Sequence, residues 1–143
     1  MRFWDTSAII PLCVDEPQTS GMRSLRDEDP TICMWWATRV ECHAALARRA
    51  REGLGAESEV IARISLLDLF QEVDEVAPTE DLRRQAERLL LVHPLRAADA
   101  LQLAAAVMWA RDRPLGMGFV CLDRRLRDAA RREGFEVLPA SLE

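Results

Sequence analysis

Four acidic residues, widely separated along the chain, are the side chains whose types and positions could do chemistry. They are Asp5, Glu41, Asp99 and Asp123. Carboxylates that are packed together repel one another unless one is protonated or a cation lies among them. Mg²⁺ and Mn²⁺ prefer oxygen ligands and keep several waters, so two to four carboxylates without histidine or thiolate suit these ions. The sequence therefore predicts a divalent-metal site if the fold brings the four acids together.

A metal site of this kind points to hydrolysis of phosphate esters. A divalent ion can lower the pKa of a bound water and neutralise charge on a phosphodiester, which is the chemistry of metal-dependent nucleases. Zinc is not expected, because the four cysteines form no CxxC pair. The adjacent Cys42 and His43 would also point about 100° apart on a helix. The spacing of the acids does not distinguish RNA from DNA or from a small phosphate ester.

Short apolar strands that alternate with helices are predicted to position these acids. The predicted strands are Phe3-Trp4, 31–35, 73–76, 119–122 and 135–138. The longer predicted helices are 38–51, 57–70, one that starts at Thr79 and breaks at His93-Pro94, 96–111 and 124–132. This alternation favours parallel pairing through helical crossovers, with helices on both faces of the sheet. The predicted fold class is α/β, with three layers and a central parallel sheet of four to five strands.

The position of each acid relative to the strands suggests a common site. Asp5 and Asp123 directly follow predicted strands, while Glu41 and Asp99 lie in the first turns of predicted helices. In open parallel sheets, reactive groups gather beyond the carboxyl ends of the strands, where helix N-termini also point. We therefore expect all four acids to converge at that edge of the sheet.

Each acid also has a purely structural interpretation. Asp5 and Asp123 each precede a helix, and aspartate is a favoured N-cap, so capping is the better explanation of either residue taken alone. Glu41 faces small alanines and has no arginine one helical turn away, which leaves both interpretations open. Asp99 lies in an apolar helix, where an unpaired carboxylate is costly. Arg96, one turn earlier, could compensate that cost, but we favour a bound cation.

The composition predicts one compact domain, residues 1–143. The chain is 49% hydrophobic, enough for a packed core, and the longest apolar stretch, 97–110, is too short for a membrane span. The N-terminus has no apolar segment typical of a secretory signal, so the cytoplasm is the expected compartment. The net charge of −5 argues against binding nucleic acid by a basic surface alone. All 19 basic residues are arginines, and the cluster over Arg124–Arg132, expected to form a solvated helix face, is the best local basic patch.

Four segments together resemble a known family. They read Phe-Trp-Asp-Thr-Ser-Ala-Ile-Ile at 3–10, Thr-Arg-Val-Glu-Cys at 38–42, Arg-Ala-Ala-Asp-Ala-Leu-Gln-Leu-Ala-Ala-Ala at 96–106 and Phe-Val-Cys-Leu-Asp-Arg-Arg-Leu at 119–126. In this order, along the whole chain, they resemble the PIN-domain ribonucleases, and most of all the VapC-type toxins of toxin-antitoxin pairs. The resemblance implies a metal-dependent endoribonuclease, a homodimer and a cognate antitoxin that occupies or blocks the active site.

The resemblance also implies roles for particular residues. The family's four acids, which bind one or two Mg²⁺ or Mn²⁺ ions and activate the attacking water, fall on Asp5, Glu41, Asp99 and Asp123. Ser7 matches a hydroxyl that holds a neighbouring carboxylate or a water, and Arg96 matches a position where a basic residue braces the acids or meets the phosphate. The chain departs from the family at Cys121, where a threonine or serine is common.

The sequence thus predicts a Mg²⁺- or Mn²⁺-dependent endoribonuclease, the toxin of a type II toxin-antitoxin system. Two alternatives remain open. The first is a PIN-like module that binds a partner while its metal site is idle. The second is a small-molecule phosphatase with Asp5 as nucleophile. The phosphatase is disfavoured because its general acid would be expected two residues further on, and that residue is Ser7.

Overall fold

A computed structural model describes residues 1–142 of the 143-residue chain, and residue 143, the last of the predicted domain, lies outside the described residues. Its strands are β1 (Arg2–Trp4), β2 (Ile32–Trp35), β3 (Asp74–Val76), β4 (Gly118–Val120) and β5 (Glu136–Leu138). They form one sheet in the order β3-β2-β1-β4-β5, and every neighbouring pair is parallel. The predicted α/β class with a parallel sheet is therefore confirmed.

Seven helices cover the two faces of this sheet within residues 1–142. They are α1 (Thr6–Cys13), α2 (Thr19–Glu28), α3 (Thr38–Arg51), α4 (Ala56–Phe70), α5 (Glu80–Val92), α6 (Ala97–Trp109) and α7 (Arg124–Glu133). Helices α1 to α4 contribute to one hydrophobic core, and helices α5 to α7 contribute to another. The molecule thus has the predicted three layers, with the sheet between two sets of helices.

Side chains of the central strands alternate between the two cores. Phe3 and Phe119 point to the core of α5 to α7, where their rings stack with centroids 5.5 Å apart. Trp4 and Val120, the next residues of each strand, point to the core of α1 to α4. This period of two follows from the pleat of a strand, and burial on both faces explains why these consecutive residues of β1 and β4 are apolar.

The chain order reverses at the centre of the sheet, between β1 and β4. From β1 the chain proceeds outward through β2 and β3, and it then returns to the other side of β1 as β4. Trp4 pairs with Val120, and the Asp5 backbone N–H donates to the Val120 carbonyl over 3.0 Å. In open α/β sheets, ligands bind in the crevice beyond the carboxyl ends of the strands at such a switch point.

Helices α5 and α6 are neighbours in the chain, separated by the predicted break at His93-Pro94. His93 is buried, and its Nε2 lies 2.7 Å from Glu133 Oε2 of α7. No single helix in the described part of the chain is long and apolar enough to cross a membrane. Helices α5 and α6 reach the length and apolar composition of a membrane span only when they are taken together, and the pair is bent by 119° at the break.

The predicted arginine cluster of α7 is only in part a solvated face. Arg127 is 2% exposed, and its guanidinium donates to the carbonyls of Cys121 (2.7 Å) and Pro139 (2.6 Å). The prediction was therefore wrong for Arg127, because the guanidinium satisfies two carbonyls at the ends of β4 and β5. The other arginines of the cluster are exposed: Arg124, Arg125, Arg131 and Arg132.

Candidate active site

The four predicted acids line one pocket at the carboxyl ends of β1 and β4. The pocket has a volume of about 400 Å³, and Ser7, Gln18, Arg48 and Arg49 are among its other lining residues. Arg96 does not line this pocket. It lies in an adjoining pocket that shares Asp99 and Asp123 with the first and also contains Arg124 and Arg125. The structure therefore brings the acids and Ser7 together and leaves Arg96 at one edge.

Asp5 is the most buried of the four acids, with 4% of its surface exposed. It is the N-cap of α1, because its Oδ2 accepts from the backbone N–H of Ser7 over 3.1 Å. The same oxygen accepts from the Ser7 hydroxyl over 2.6 Å and lies 3.6 Å from the Cys121 sulfur. All three contacts fall on Oδ2. Asp5 therefore caps a helix through one of its two carboxylate oxygens.

The pKa of Asp5 is raised to about 6, mainly by burial; hydrogen bonds from Ser7 lower it, and the negative charge of Glu41 contributes to the increase. Desolvation disfavours the charged form of a carboxylate, and nearby like charges add to that effect. The Asp5 carboxylate is therefore held in an environment that a cation would improve.

Glu41 lies in the first turn of α3 and is hydrogen-bonded across to two other helices. Its Oε2 accepts from the Thr6 hydroxyl of α1 over 2.9 Å. The Gln102 amide nitrogen of α6 lies 3.4 Å from both carboxylate oxygens. Burial raises the pKa of Glu41, and Asp99 adds to the increase, while the Thr6 and Gln102 contacts lower it.

Asp99 lies one turn before Gln102 on α6 and is partly exposed. It forms no salt bridge with any residue in the range 1–142, so Arg96 does not pair with it directly. The pKa of Asp99 is raised to about 6, mainly by burial and then by repulsion from Asp5 and Asp123. The positive charge of Arg96 lowers this pKa but only partly offsets the increase. The two acids that raise this pKa come from the ends of β1 and β4, so the electrostatics link three distant parts of the chain.

Asp123 is the N-cap of α7 and is the most accessible of the four. Its Oδ1 accepts from the backbone N–H of Leu126 over 2.9 Å, and the residue is exposed. As at Asp5, the capping interaction occupies one oxygen. The structural interpretation of these two aspartates is thus compatible with a place in the pocket.

Ser7 connects the ends of β1 and β4. Its hydroxyl donates to Asp5 Oδ2 and accepts from the backbone N–H of Leu122 over 2.9 Å. The Cys121 sulfur lies 3.7 Å from the same hydroxyl and is fully buried. At position 121, where the resemblance would favour a threonine or serine, this chain thus places a thiol, which is a weak donor.

Sequence reasoning did not assign a role to two polar side chains that contact the acids. Thr6 and Gln102 both contact Glu41, and Gln102 also contacts Thr38. Gln102 could have been noticed in the sequence because it is the single amide in a stretch of α6 that is otherwise apolar after Asp99. That signal marks a residue of interest but does not identify its partners, which are 61 or more residues away in the chain.

The residues present fit a hard divalent cation that keeps part of its water shell. Their donor atoms are carboxylate oxygens, and three of the four acids have raised pKa values. Within residues 1–142, no three acidic, histidine or cysteine side chains are close enough together to form a ready-made cage. Mg²⁺ commonly binds through one or two carboxylates and several waters, so a cage of protein ligands is not required.

The fold and the site define a class of protein, a parallel α/β domain with a carboxylate-lined pocket at the topological switch point. The family model described as PIN domain matches residues 2–132. The chain belongs to the PIN domain family.

Relatives of known name match over nearly the whole chain. Ribonuclease VapC46 of Mycobacterium tuberculosis is 31% identical over 141 residues, which is 97% of this chain and 97% of the relative. Ribonuclease VapC49 of the same species is 32% identical over 142 residues, 99% of this chain and 96% of the relative. The crystal structure of PAE2754 from Pyrobaculum aerophilum shares the fold. It has a TM-score of 0.68 at 18% identity, covering 96% of this chain and 88% of that one.

Proposed function

We propose that this protein is a Mg²⁺- or Mn²⁺-dependent endoribonuclease, the toxin of a type II toxin-antitoxin system. The observation that carries the proposal is the convergence of four acids from separate parts of the chain on one pocket. Burial of these charges is unfavourable and repulsion between them adds to the cost, as the raised pKa values of Asp5 and Asp99 express. A bound divalent cation would remove that cost.

In this proposal the acids hold the ion and the neighbouring polar groups hold the acids. Asp5, Glu41, Asp99 and Asp123 are the proposed ligands, directly or through water. When bound, the ion would activate a water for attack and neutralise charge on the phosphodiester. Ser7 keeps the Asp5 carboxylate in place through a 2.6 Å hydrogen bond, and Thr6 does the same for Glu41 over 2.9 Å.

The similarity to VapC ribonucleases supports RNA as the substrate and suggests the partners. We propose a cognate antitoxin that covers the acidic pocket, a homodimeric assembly, and a location in the cytoplasm. The proposal for RNA rests on the names of relatives that match along nearly the entire chain.

The proposed function is tested by removing and restoring the metal. The purified protein is expected to cleave a long single-stranded RNA internally in Mg²⁺ or Mn²⁺, to stop in excess EDTA, and to recover when the ion is restored. Asp99→Asn, assayed in parallel, should be inactive and thereby exclude a contaminating nuclease. Undiminished cleavage in EDTA would contradict the metal requirement. Hydrolysis of a small phosphate ester instead of RNA would favour a phosphatase, and binding of RNA without cleavage at any metal concentration would favour an idle module.

Exposed arginines beside the acidic pocket are expected to bind the RNA backbone. Arg124 and Arg125 line the adjoining pocket together with Asp99 and Asp123, and both side chains are exposed. The double variant Arg124→Gln/Arg125→Gln should raise KM for RNA by about tenfold with little change in kcat, because two phosphate-binding guanidinium groups are removed while the acids remain. The dependence of KM on salt should also weaken, by roughly 0.7 in log–log slope for each phosphate that the variant no longer neutralises.

A matched control for this prediction lies on α5. Arg83 and Arg84 are exposed, pair with Glu80 and Asp81 of their own helix, and do not line either acidic pocket. Arg83→Gln/Arg84→Gln removes the same charge and should leave KM unchanged. Equal effects of the two double variants would mean that only net charge matters and would refute a specific path for the RNA.

A further inference from the structure

Gln102 is a fully buried amide at the junction of three helices. Its side chain is 0% exposed and projects from α6. The amide nitrogen lies 3.0 Å from the Thr6 hydroxyl of α1, 3.0 Å from the Thr38 hydroxyl of α3, and 3.4 Å from both oxygens of Glu41. A single side chain thus contacts Glu41 and two hydroxyls around it.

The chemistry of its neighbours determines the orientation of the amide. An ionised carboxylate only accepts hydrogen bonds, so the NH₂ end of Gln102 must face Glu41. The Thr6 hydroxyl accepts from Gln102 and donates to Glu41 Oε2, which makes a chain of hydrogen bonds from α6 through α1 to α3. Hydrogen bonds in such a chain polarise and strengthen one another.

Packing does not explain why an amide stands at this position. The residues around it on α6, Leu103 and Ala104 to Ala106, are buried and apolar. The Gln102 carbonyl oxygen is buried and has no hydrogen-bond partner within residues 1–142. An unpaired buried polar atom costs free energy that an apolar side chain of the same size would not. The carbonyl oxygen of Gln102 is therefore in an unfavourable environment, whereas the contacts of its amide nitrogen all lead to Glu41 and the hydroxyls around it.

We propose that Gln102 is a positioning residue that holds the Glu41 carboxylate, directly and through Thr6, in the orientation needed for the pocket. This inference rests on the proposed function, because Glu41 is one of the proposed metal ligands. Groups that orient a metal ligand typically influence metal affinity as well as rate, even though they do not touch the ion. Gln102 acts through Glu41 and is not itself placed at the reacting atoms.

The experiment replaces the amide by an apolar side chain of similar length. Gln102→Met should weaken Mn²⁺ binding, measured by calorimetry on the purified protein without RNA, by about tenfold. It should lower kcat for RNA cleavage by a similar factor, with KM within twofold of the parent value. The thermal unfolding midpoint of the metal-free variant is measured alongside, because the substitution removes the unpaired carbonyl oxygen but also the amide contact of the buried Thr38 hydroxyl. Leu103→Met, the neighbouring buried position on α6, is the matched control and should leave Mn²⁺ affinity, kcat and KM unchanged.

A double-mutant cycle distinguishes positioning from a general structural role. If Gln102 acts through Glu41, Gln102→Met added to Glu41→Gln should change Mn²⁺ affinity by less than twofold, since contacting residues are not additive. If Gln102→Met lowered Mn²⁺ affinity tenfold both in the parent protein and in the Glu41→Gln variant, the proposal would be overturned. NMR relaxation of the Glu41 side chain in the metal-free protein gives an independent result, because Gln102→Met should increase its motion while Leu103→Met should not.

Failure of this inference can be told apart from failure of the proposed function. If the parent protein binds Mn²⁺ but cleaves no RNA, the calorimetric cycle still decides the role of Gln102, and only the nuclease assignment fails. If the parent protein binds no Mn²⁺, the Glu41 relaxation measurement decides. If Gln102→Met left the NMR relaxation of the Glu41 side chain unchanged, the proposal would be overturned, whatever the activity.

Discussion

Asp5→Asn is expected to abolish RNA cleavage and, at the same time, to stabilise the metal-free protein. The loss of rate should be roughly 1,000-fold, since a catalytic ion is worth several kcal/mol and each 1.4 kcal/mol is about tenfold in rate. Asparagine keeps the size of the side chain but not its charge, so the ion would lose its most buried ligand. RNA cleavage at saturating Mn²⁺ measures this loss.

The expected gain in stability follows from the burial of Asp5. At neutral pH its carboxylate is charged although only 4% of the residue is exposed, and burial raises its pKa from 3.8 to about 6. A shift of this size corresponds to as much as about 3 kcal/mol of unfavourable free energy at neutral pH. Asparagine is an equally good N-cap, so its oxygen can still accept from the Ser7 backbone N–H. Chemical denaturation in EDTA measures the difference.

A suitable control is Asp15→Asn, which removes an exposed carboxylate that does not line the pocket. This variant should retain both the activity and the stability of the parent protein. If Asp5→Asn remained active, Asp5 would be only a helix cap. If it were inactive and also less stable by several kcal/mol, the loss of activity would be a folding effect.

Much of the fold could be predicted because local and global signals agree. The sequence predicts helix α3 over Thr38–Arg51, and the helix is observed over the same residues, since alanines and arginines favour a helix and Gly53 follows its end. Helix α7 begins after Asp123 and ends before Gly134, its C-cap, whose φ of 107° suits glycine. Such signals lie within a few residues of the structure that they specify.

The contacts that arrange the pocket could not be predicted in the same way. Thr6 and Gln102 are 96 residues apart, and nothing in their local sequence specifies that their side chains meet. Arg127 resembles its exposed neighbours in the sequence, yet two carbonyls at the ends of β4 and β5 make its buried position favourable. Type and spacing identify candidate residues, whereas partners depend on how helices pack across the sheet.

The capping and functional interpretations of Asp5 and Asp123 proved not to exclude each other. An N-cap needs one carboxylate oxygen, and the observed caps use one oxygen in each residue. Helix N-termini at the carboxyl edge of a parallel sheet also stabilise negative charge. The same geometry that favours aspartate as a cap therefore favours its use in an anionic pocket.

Lowering the pH from 7 to 5 is expected to stabilise the metal-free protein. A carboxyl group whose pKa is higher in the folded state binds its proton more tightly there, so its contribution to stability is complete below the unfolded pKa and is lost as the pH rises through the folded pKa. For Asp5 and Asp99 this window runs from 3.8 to about 6. Asp5 alone should contribute about 1 kcal/mol between pH 7 and pH 5.

With Asp99 included, the total gain in stability between pH 7 and pH 5 should be about 2 kcal/mol. The contribution of Asp99 is smaller than that of Asp5 because Asp99 is partly exposed and its charge is screened by solvent. This total is roughly a 30-fold change in the unfolding equilibrium. Asp29 and Glu133 have lowered pKa values and act in the opposite direction, but only at more acidic pH. Denaturation by urea in EDTA at pH 5 and pH 7 measures the change.

Mn²⁺ should reverse the sign of this pH dependence. A cation among the carboxylates competes with protons for the same oxygens, so its stabilising effect is greatest at pH 7 and decreases toward pH 5. The protein in saturating Mn²⁺ should therefore lose stability over the interval in which the metal-free protein gains it. Asp5→Asn should flatten both dependences. If the pH dependence of the parent protein were the same with and without Mn²⁺, the protons and the ion would not share these carboxylates, and the pocket would not be the metal site.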